Sequence, residues 1–101
     1  LMIYMEPKDL KIVTDILSSY PYTFYVFGSR AKGTHKRLSD LDLCYFDAIP
    51  PLIIDEIQEK LEESDLPYTV DLVNWHRCQQ SFQELIKKDL IKFEPNSLSA
   101  T

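Results

Sequence analysis

The sequence from residue 25 to residue 45, YVFGSRAKGTHKRLSDLDLCY, predicts a strand, a tight turn, a short basic segment and a second strand. The aromatic and β-branched residues before Gly28 are typical of a strand, and its alternate residues are expected to face the core, namely Tyr22, Phe24 and Val26. Gly28 permits a sharp turn, because glycine has no Cβ to restrict its backbone. Ser29 then begins a short helical turn, closed by Gly33, whose first N–H groups are free to bind a phosphate. Residues 34–39 are polar and are expected to form a mobile loop.

Two acidic residues open the second strand of this stretch. Side chains alternate across a strand, so Asp40 and Asp42 share one face while Leu41 and Leu43 share the other. Two carboxylates on one face repel each other unless a cation lies between them. Oxygen ligands of this kind suit a hard cation such as Mg²⁺. The pattern therefore predicts a magnesium site at the start of this strand.

The composition is that of an ordinary globular domain. The chain has 101 residues, of which 45% are hydrophobic and 27% are charged, enough for one domain with a modest core. A net charge of −5 argues against a protein that binds nucleic acid through its phosphates. No apolar run is long enough to span a membrane. The two cysteines have neither zinc-binding nor disulfide-rich spacing, so we expect free thiols and a cytoplasmic location.

The rest of the chain predicts a small α/β domain over residues 7–95, with helices covering a short mixed sheet in the order α-β-β-α-β-α. We give residues 1–5 no weight in assigning the fold, and we expect residues 96–101 to form a flexible tail. Ser81 and Glu84 have the spacing of a capping box that opens the last helix, which should end at Pro95. The predicted elements are helices at 7–20, 52–63 and from 81 onward, and strands at 22–27, 40–46 and 68–75.

A third acid, Asp71, interrupts the apolar strand at residues 68–75. If this strand lies beside the second one, Asp40, Asp42 and Asp71 converge at one edge of the sheet. A cluster of this kind can hold two metal ions, which neutralise a triphosphate and activate an attacking oxygen. The three acids are therefore the candidate catalytic and metal-binding residues.

The glycine–serine turn is the candidate site for the phosphates. Ser29 and the amides that follow Gly28 would hold the outer phosphates, with Arg30 or Lys32 nearby as additional positive charge. No Walker A sequence, G-x-x-x-x-G-K-[ST], is present, so a P-loop does not explain this pattern.

The sequence G-S, ten residues and D-x-D resembles the signature of the nucleotidyltransferase superfamily, and Gly28-Ser29 and Asp40-Leu41-Asp42 match it without a gap. The wider text FGSRAKG…SDLDL and the strand PYTVDLVNW resemble a minimal nucleotidyltransferase (MNT) domain over residues 8–93. This resemblance implies the nucleotidyltransferase fold and a metal-dependent transferase that uses ATP. It also implies that Asp40 and Asp42 hold Mg²⁺, two ions in all, that Asp71 is a base or further metal ligand, and that Ser29 contacts phosphate.

The resemblance also implies a partner. Short members of the MNT family are typically encoded beside a helical HEPN-domain protein that resembles an RNA-cleaving toxin, with the MNT protein as its antitoxin. In such a pair the MNT protein transfers AMP from ATP to a tyrosine hydroxyl of the toxin. The length of 101 residues leaves no room for a second, acceptor-binding domain, so we expect the acceptor on another chain. Two alternatives stay open: a stand-alone transferase acting on a small molecule, and a non-catalytic module that masks a toxin.

Overall fold

Strands of the chain form a mixed sheet in the computed structural model, which describes residues 2–94 and 98–100. Outside this sheet, β1 (Met2–Tyr4) pairs with a strand near the other end of the chain. The sheet contains β2 (Phe24–Phe27), β3 (Leu41–Tyr45), β4 (Val70–Asn74) and β5 (Ile91–Phe93), in the order β4-β3-β2-β5. β3 and β4 are parallel, whereas β2 is antiparallel to β3 and β5. The predicted α/β class with a short mixed sheet is confirmed.

Helices connect the strands and cover the sheet. They are α1 (Pro7–Leu17), α2 (Ser29–Lys32), α3 (Pro51–Glu62) and α4 (Gln80–Ile86). Both α1 and α3 begin with a proline, whose fixed φ and missing N–H suit the first turn of a helix. Short 3₁₀ turns follow β4 at Trp75–Arg77 and α4 at Lys87–Asp89. In the described part of the chain, no helix is long and apolar enough to cross a membrane.

One face of the sheet carries the main hydrophobic core, and α1 and α3 pack over it. Val13 of α1 and Ile57 of α3 are completely buried. The predicted alternation along β2, with Phe24 and Val26 facing the core, is confirmed. The buried residues contributed by these strands and helices are Leu10, Val13, Leu17, Phe24, Val26, Leu41, Leu43, Tyr45, Ile57, Leu61, Val70 and Phe93.

On the opposite face of the sheet, α4 packs through Ile86. Phe27, Cys44 and Ile86 form a second, smaller core there. Cys44 is completely buried and has a free thiol, as expected for a small apolar residue in a strand. Because side chains alternate along β3 and β4, Asp42 and Asp71 lie on this second face.

Residues 1–5 were given no weight in the predicted fold, but residues 2–5 contribute to it. β1 pairs in parallel with β6 (Leu98–Ala100), and the register places Met2 opposite Leu98. Ile3 and Met5 are 0% and 1% exposed, so they belong to the main core. The free energy gained by burying two large apolar side chains explains why this segment is ordered.

The flexible tail predicted for residues 96–101 is not observed at Leu98–Ala100, which form β6. The Ser99 hydroxyl donates a hydrogen bond to the backbone oxygen of Met5, which adds to the strand pairing. Residue 1 and, within the predicted tail, residues 96, 97 and 101 lie outside the described residues, as does residue 95.

The last helix differs from the prediction at both ends. α4 begins at Gln80 and its N-cap residue makes no side-chain hydrogen bond, so the capping box predicted for Ser81 and Glu84 is absent. Glu84 instead forms an ion pair with Lys87, at 2.8 Å. The chain then leaves the helix at Ile86 and continues into β5 beside β2. In β5, Ile91 is partly buried, Lys92 is exposed and Phe93 is buried. This alternation has the period of a strand rather than that of a helix.

Candidate active site

Asp42 and Asp71 lie side by side on neighbouring strands. β3 and β4 are parallel, and their register pairs these two residues directly. On its other side Asp42 is paired with Phe27 of β2. When it is protonated, the Asp42 carboxyl group can share a hydrogen bond with Asp71, which favours that form. The second and third predicted strands therefore pair, and they bring Asp42 and Asp71 together on the face of the sheet against which α4 packs.

The backbone of Gly28 lies directly against the Asp42 side chain. Gly28 has φ +74°, a conformation that residues with a Cβ rarely adopt. A Cβ added at this position would overlap Asp42 Oδ2. Only glycine therefore fits between the end of β2 and this carboxylate, and the glycine–serine turn and Asp42 form one continuous site.

The surroundings of Asp42 raise its pKa from 3.8 to about 6. Burial is the largest cause, followed by the negative charges of Asp71 and Asp40 and by the hydrogen bond with Asp71. Each of these favours the protonated form of the carboxyl group. Above a pH of about 6 the site holds adjacent ionised carboxylates, and a bound cation would offset their repulsion.

Asp40 lies one residue before β3, with an exposed side chain. Its Oδ1 accepts a hydrogen bond of 2.6 Å from the Thr69 hydroxyl. The Leu41 N–H donates to the Thr69 carbonyl at 3.0 Å, which joins the starts of β3 and β4. The sequence interpretation missed Thr69. Thr69 lies beside Asp40 because the strand register pairs Leu41 with Val70, the two residues that follow them.

The three acids fit Mg²⁺ in their chemistry but do not form a closed coordination shell. They offer carboxylate oxygens alone, the ligand type that Mg²⁺ prefers. Among residues 2–94 and 98–100, no group of three or more His, Cys, Asp or Glu side chains is arranged to hold a metal ion. The Asp40 carboxylate accepts a hydrogen bond from Thr69, and Asp42 lies beside Asp71. The assignment of all three acids as metal ligands stays a prediction.

The short helix α2 begins immediately after Gly28. The amides of Ala31 and Lys32 donate to the Gly28 carbonyl at 3.1 and 3.2 Å, so the amides of Ser29 and Arg30 precede the first bonds of the helix. Amides in this position suit an anionic group. Ser29 is partly buried, and Lys32 is exposed at the end of the helix. Their predicted nucleotide contacts stay predictions.

Arg30 was also predicted to bind nucleotide, and here the structure corrects the sequence interpretation. Its side chain is buried, with 3% of the residue exposed. Both the Nε and the Nη groups donate to backbone carbonyls of this chain. The guanidinium is therefore turned into the protein and is committed to structural hydrogen bonds, rather than being available to a phosphate.

Comparisons with known proteins bear on this arrangement of residues. Residues 11–94 match the protein-family model described as "Polymerase beta, Nucleotidyltransferase". The chain is 41% identical over 88 residues to the probable protein adenylyltransferase MntA of Haemophilus influenzae, and this match covers 83% of the chain and 77% of MntA.

The fold is similar to that of a chain in a crystal structure of a toxin–antitoxin with AMP-PNP. The TM-score is 0.64 and the sequence identity is 25%. The similarity covers 83% of this chain and 71% of the other. It includes most of the secondary structure described above, so the shared feature is the fold as a whole rather than a local motif.

Proposed function

Because the chain belongs to the polymerase β-type nucleotidyltransferase family, we propose that it is an antitoxin enzyme that transfers AMP from ATP to a tyrosine hydroxyl of a HEPN-type RNase toxin. The modification neutralises the toxin. The name of the MntA relative, a probable protein adenylyltransferase, supports AMP transfer to a protein. The similar fold in a toxin–antitoxin structure with AMP-PNP supports both a toxin partner and an adenine nucleotide as donor.

One observation carries the proposal: the Gly28 turn, Asp42 and Asp71 are in direct contact. Asp42 lies against the Gly28 backbone and is paired in register with Asp71 on the neighbouring strand. A turn that suits phosphate and a pair of acids that suit a cation are thus adjacent on one surface. Transfer of a nucleotidyl group requires these two features together.

In the proposed reaction, a bond forms between the acceptor oxygen and the α-phosphorus of ATP. The bond from that phosphorus to the departing pyrophosphate breaks, and the acceptor hydroxyl loses its proton. Asp71 is exposed beside Asp42 and is the carboxylate that can take this proton. Asp40 and Asp42 would hold Mg²⁺, with Asp71 as a further ligand when it is not the base. When bound, the metal supplies positive charge that offsets the charge of the triphosphate.

The phosphates are assigned to the start of α2. The Ser29 hydroxyl and the first amides of the helix donate to phosphate oxygens, and Gly28 allows the backbone to approach them. Lys32 is exposed one turn further on and contributes positive charge. Arg30 has no part in this contact, because its side chain is buried.

The test is the intact mass of a HEPN-domain protein, encoded beside this one, after incubation with the protein, ATP and Mg²⁺. We expect a gain of one or more AMP units, and fragmentation should locate them on tyrosine. Asp40→Ala with Asp42→Ala should abolish the gain. Asp65→Ala is the matched control, since it removes an exposed carboxylate from a turn outside the site and should leave the gain unchanged.

Other outcomes would replace the proposal. Inhibition of the toxin without any mass gain, retained in the double variant, would indicate a module that masks the toxin by binding. A protein that neither binds nor modifies the toxin, yet releases pyrophosphate from ATP with a small acceptor, would be a stand-alone small-molecule transferase.

A further inference from the structure

Arg30 binds the segment that leads into Asp40. Its Nε donates to the Ser39 carbonyl at 3.0 Å, and its Nη2 donates to the carbonyls of Arg37 and Lys36 at 3.2 and 3.4 Å. Its Nη1 donates to the Tyr4 carbonyl at 2.9 Å. One guanidinium thus joins three carbonyls of the segment from residue 36 to residue 39 to strand β1. The planar fork of donors in arginine makes several such bonds possible at once.

The Tyr68 ring supports this guanidinium from one side. The Arg30 Cζ lies 3.9 Å from the centre of the ring, within the range of a cation–π interaction. The Tyr68 hydroxyl donates to Asp9 Oδ2 at 3.4 Å, and Asp9 is 3% exposed. The position of the arginine is therefore fixed by three segments that are distant in sequence: β1, α1 and the residues just before β4.

These contacts reach Asp40 from two directions, through the residue before it in the chain and through the segment that leads into the neighbouring strand β4. Ser39, whose carbonyl accepts from Arg30, is the residue immediately before Asp40. Tyr68, which supports the guanidinium, is immediately before Thr69, whose hydroxyl donates to the Asp40 carboxylate. Arg30 itself belongs to α2 and directly follows Ser29 of the glycine–serine turn. Its side chain thus links that turn to Ser39, the residue before Asp40.

We propose that Arg30 is a positioning residue, which holds residues 36–39 and thereby sets the place of Asp40 relative to Asp42 and the glycine–serine turn. Arg30 touches neither the nucleotide nor the acceptor. Its effect on AMP transfer rests on the proposed function, whereas its hold on residues 36–39 does not. The two parts can therefore be tested separately.

The first test is hydrogen–deuterium exchange of the metal-free protein, comparing Arg30→Lys with the parent. Lysine keeps the charge but loses the fork of donors. We expect the amides of Lys36 and Ser39, which are bonded within this segment, to exchange on the order of tenfold faster. Exchange in α3 should stay as in the parent, because α3 does not contact Arg30 through any of these bonds. Unchanged exchange in residues 36–39 would overturn the proposal.

Two further variants sharpen this experiment. Arg37→Lys makes the same chemical change on an exposed side chain, whose residue contributes only its backbone carbonyl to Arg30, and it should leave the exchange unchanged. Tyr68→Leu keeps Arg30 but removes the ring beneath it, and it should speed exchange in the same residues by less than Arg30→Lys does. If Arg30→Lys does not fold, Tyr68→Leu decides the question, and unchanged exchange there overturns the proposal.

The second test is the kinetics of AMP transfer with the parent and Arg30→Lys. We expect a lower kcat and a higher half-saturating Mg²⁺ concentration, with the KM for ATP within about twofold of the parent. A raised KM for ATP, with kcat and exchange unchanged, would mean that Arg30 contacts the nucleotide and would overturn the positioning role. If the parent itself transfers no AMP, the proposed function fails, while the exchange experiment still decides the role of Arg30.

Discussion

The Asp42 side chain is stabilised in its protonated form by its neighbours, although the proposed reaction needs it ionised. Burial, two nearby carboxylates and a hydrogen bond with Asp71 raise its pKa to about 6. A carboxylate at this position does not stabilise the fold, because its surroundings disfavour the charged form. A cation bound among the acids would account for the arrangement. It would lower the pKa of the Asp42 carboxyl group and place a positive charge beside the carboxylates.

This gives a pH dependence that can be measured in EDTA. The folded protein keeps the Asp42 proton between pH 3.8 and about 6, whereas the unfolded chain releases it near 3.8. The folded state therefore binds more protons in this range, and its stability falls as the pH rises through it. We expect the melting temperature of the parent, measured relative to Asp42→Asn, to decrease from pH 4 to pH 7.

Asp42→Asn is the appropriate comparison because asparagine keeps the size and the hydrogen bond to Asp71 but cannot ionise. The titrating groups that do not interact with Asp42 are common to the two proteins, so their effects cancel and the difference reports the acidic group that contains Asp42. Parallel melting curves across this pH range would show that Asp42 titrates at its ordinary value and would remove the electrostatic argument for the site. Addition of Mg²⁺ above pH 6 should raise the melting temperature of the parent more than that of the variant.

At the scale of elements, α2 is enclosed by two glycines with different neighbours. Gly28 and Gly33 have φ of +74° and +78°, so both occupy the left-handed region that favours glycine. Gly28 packs against the Asp42 carboxylate. Gly33 packs against the Tyr4 ring, which lies 3.0 Å from the position of an added Cβ. The helix is therefore fixed at its start against the proposed active site and at its end against β1.

Alanine at each glycine separates these two attachments. Because both alanines would have positive φ, we expect Gly28→Ala and Gly33→Ala each to lower the free energy of unfolding by about 1–2 kcal/mol or more. Urea denaturation measures this effect. Gly28→Ala should also abolish AMP transfer, since its Cβ displaces Asp42, while Gly33→Ala should keep most of the activity in its folded fraction. A Gly28→Ala protein with the rate of the parent would contradict the contact between the turn and the acid.

At the scale of the whole molecule, the local sequence pattern was enough to predict the parts of the fold in which residues recur at a regular spacing. The alternation along β2 correctly assigned Phe24 and Val26 to the core. The spacing of G-S and D-x-D indicated the family that the comparisons bear out. Both of these inferences need only residues that are near one another along the chain. The juxtaposition of Asp42 and Asp71 was predicted on the condition that their strands pair, and the register of β3 and β4 meets that condition.

The features that sequence reasoning missed depend on contacts between distant residues. β1 and β6 are strands of three residues each, and each is recognisable only once the other end of the chain lies beside it. Residues 34–39 look polar and mobile, but Arg30 holds three of their carbonyls. The same contacts explain why the sequence suggested a nucleotide contact for Arg30, since a basic residue beside a glycine–serine turn gives no local sign that its partners are backbone oxygens.

Binding of a ligand at the site should stabilise the whole fold, and substitution of Asp40 tests this expectation. We expect Asp40→Ala to leave the metal-free melting temperature unchanged or slightly raised. It loses one hydrogen bond from Thr69 but also removes a carboxylate from a repelling group. Mg²⁺-ATP at 100 times its Kd should stabilise the parent by about 2.7 kcal/mol and should give Asp40→Ala little or no protection.

Asp65→Ala controls for the loss of an exposed carboxylate elsewhere and should be protected as well as the parent. Equal protection of Asp40→Ala and the parent would count against Asp40 as a metal ligand, because a ligand can stabilise the fold only through contacts that it makes in the folded state. If that variant were protected and yet transferred no AMP, Asp40 would act on the reaction without holding the nucleotide complex. The melt and the transfer assay together therefore distinguish a residue that binds the metal nucleotide from one that serves the chemistry alone.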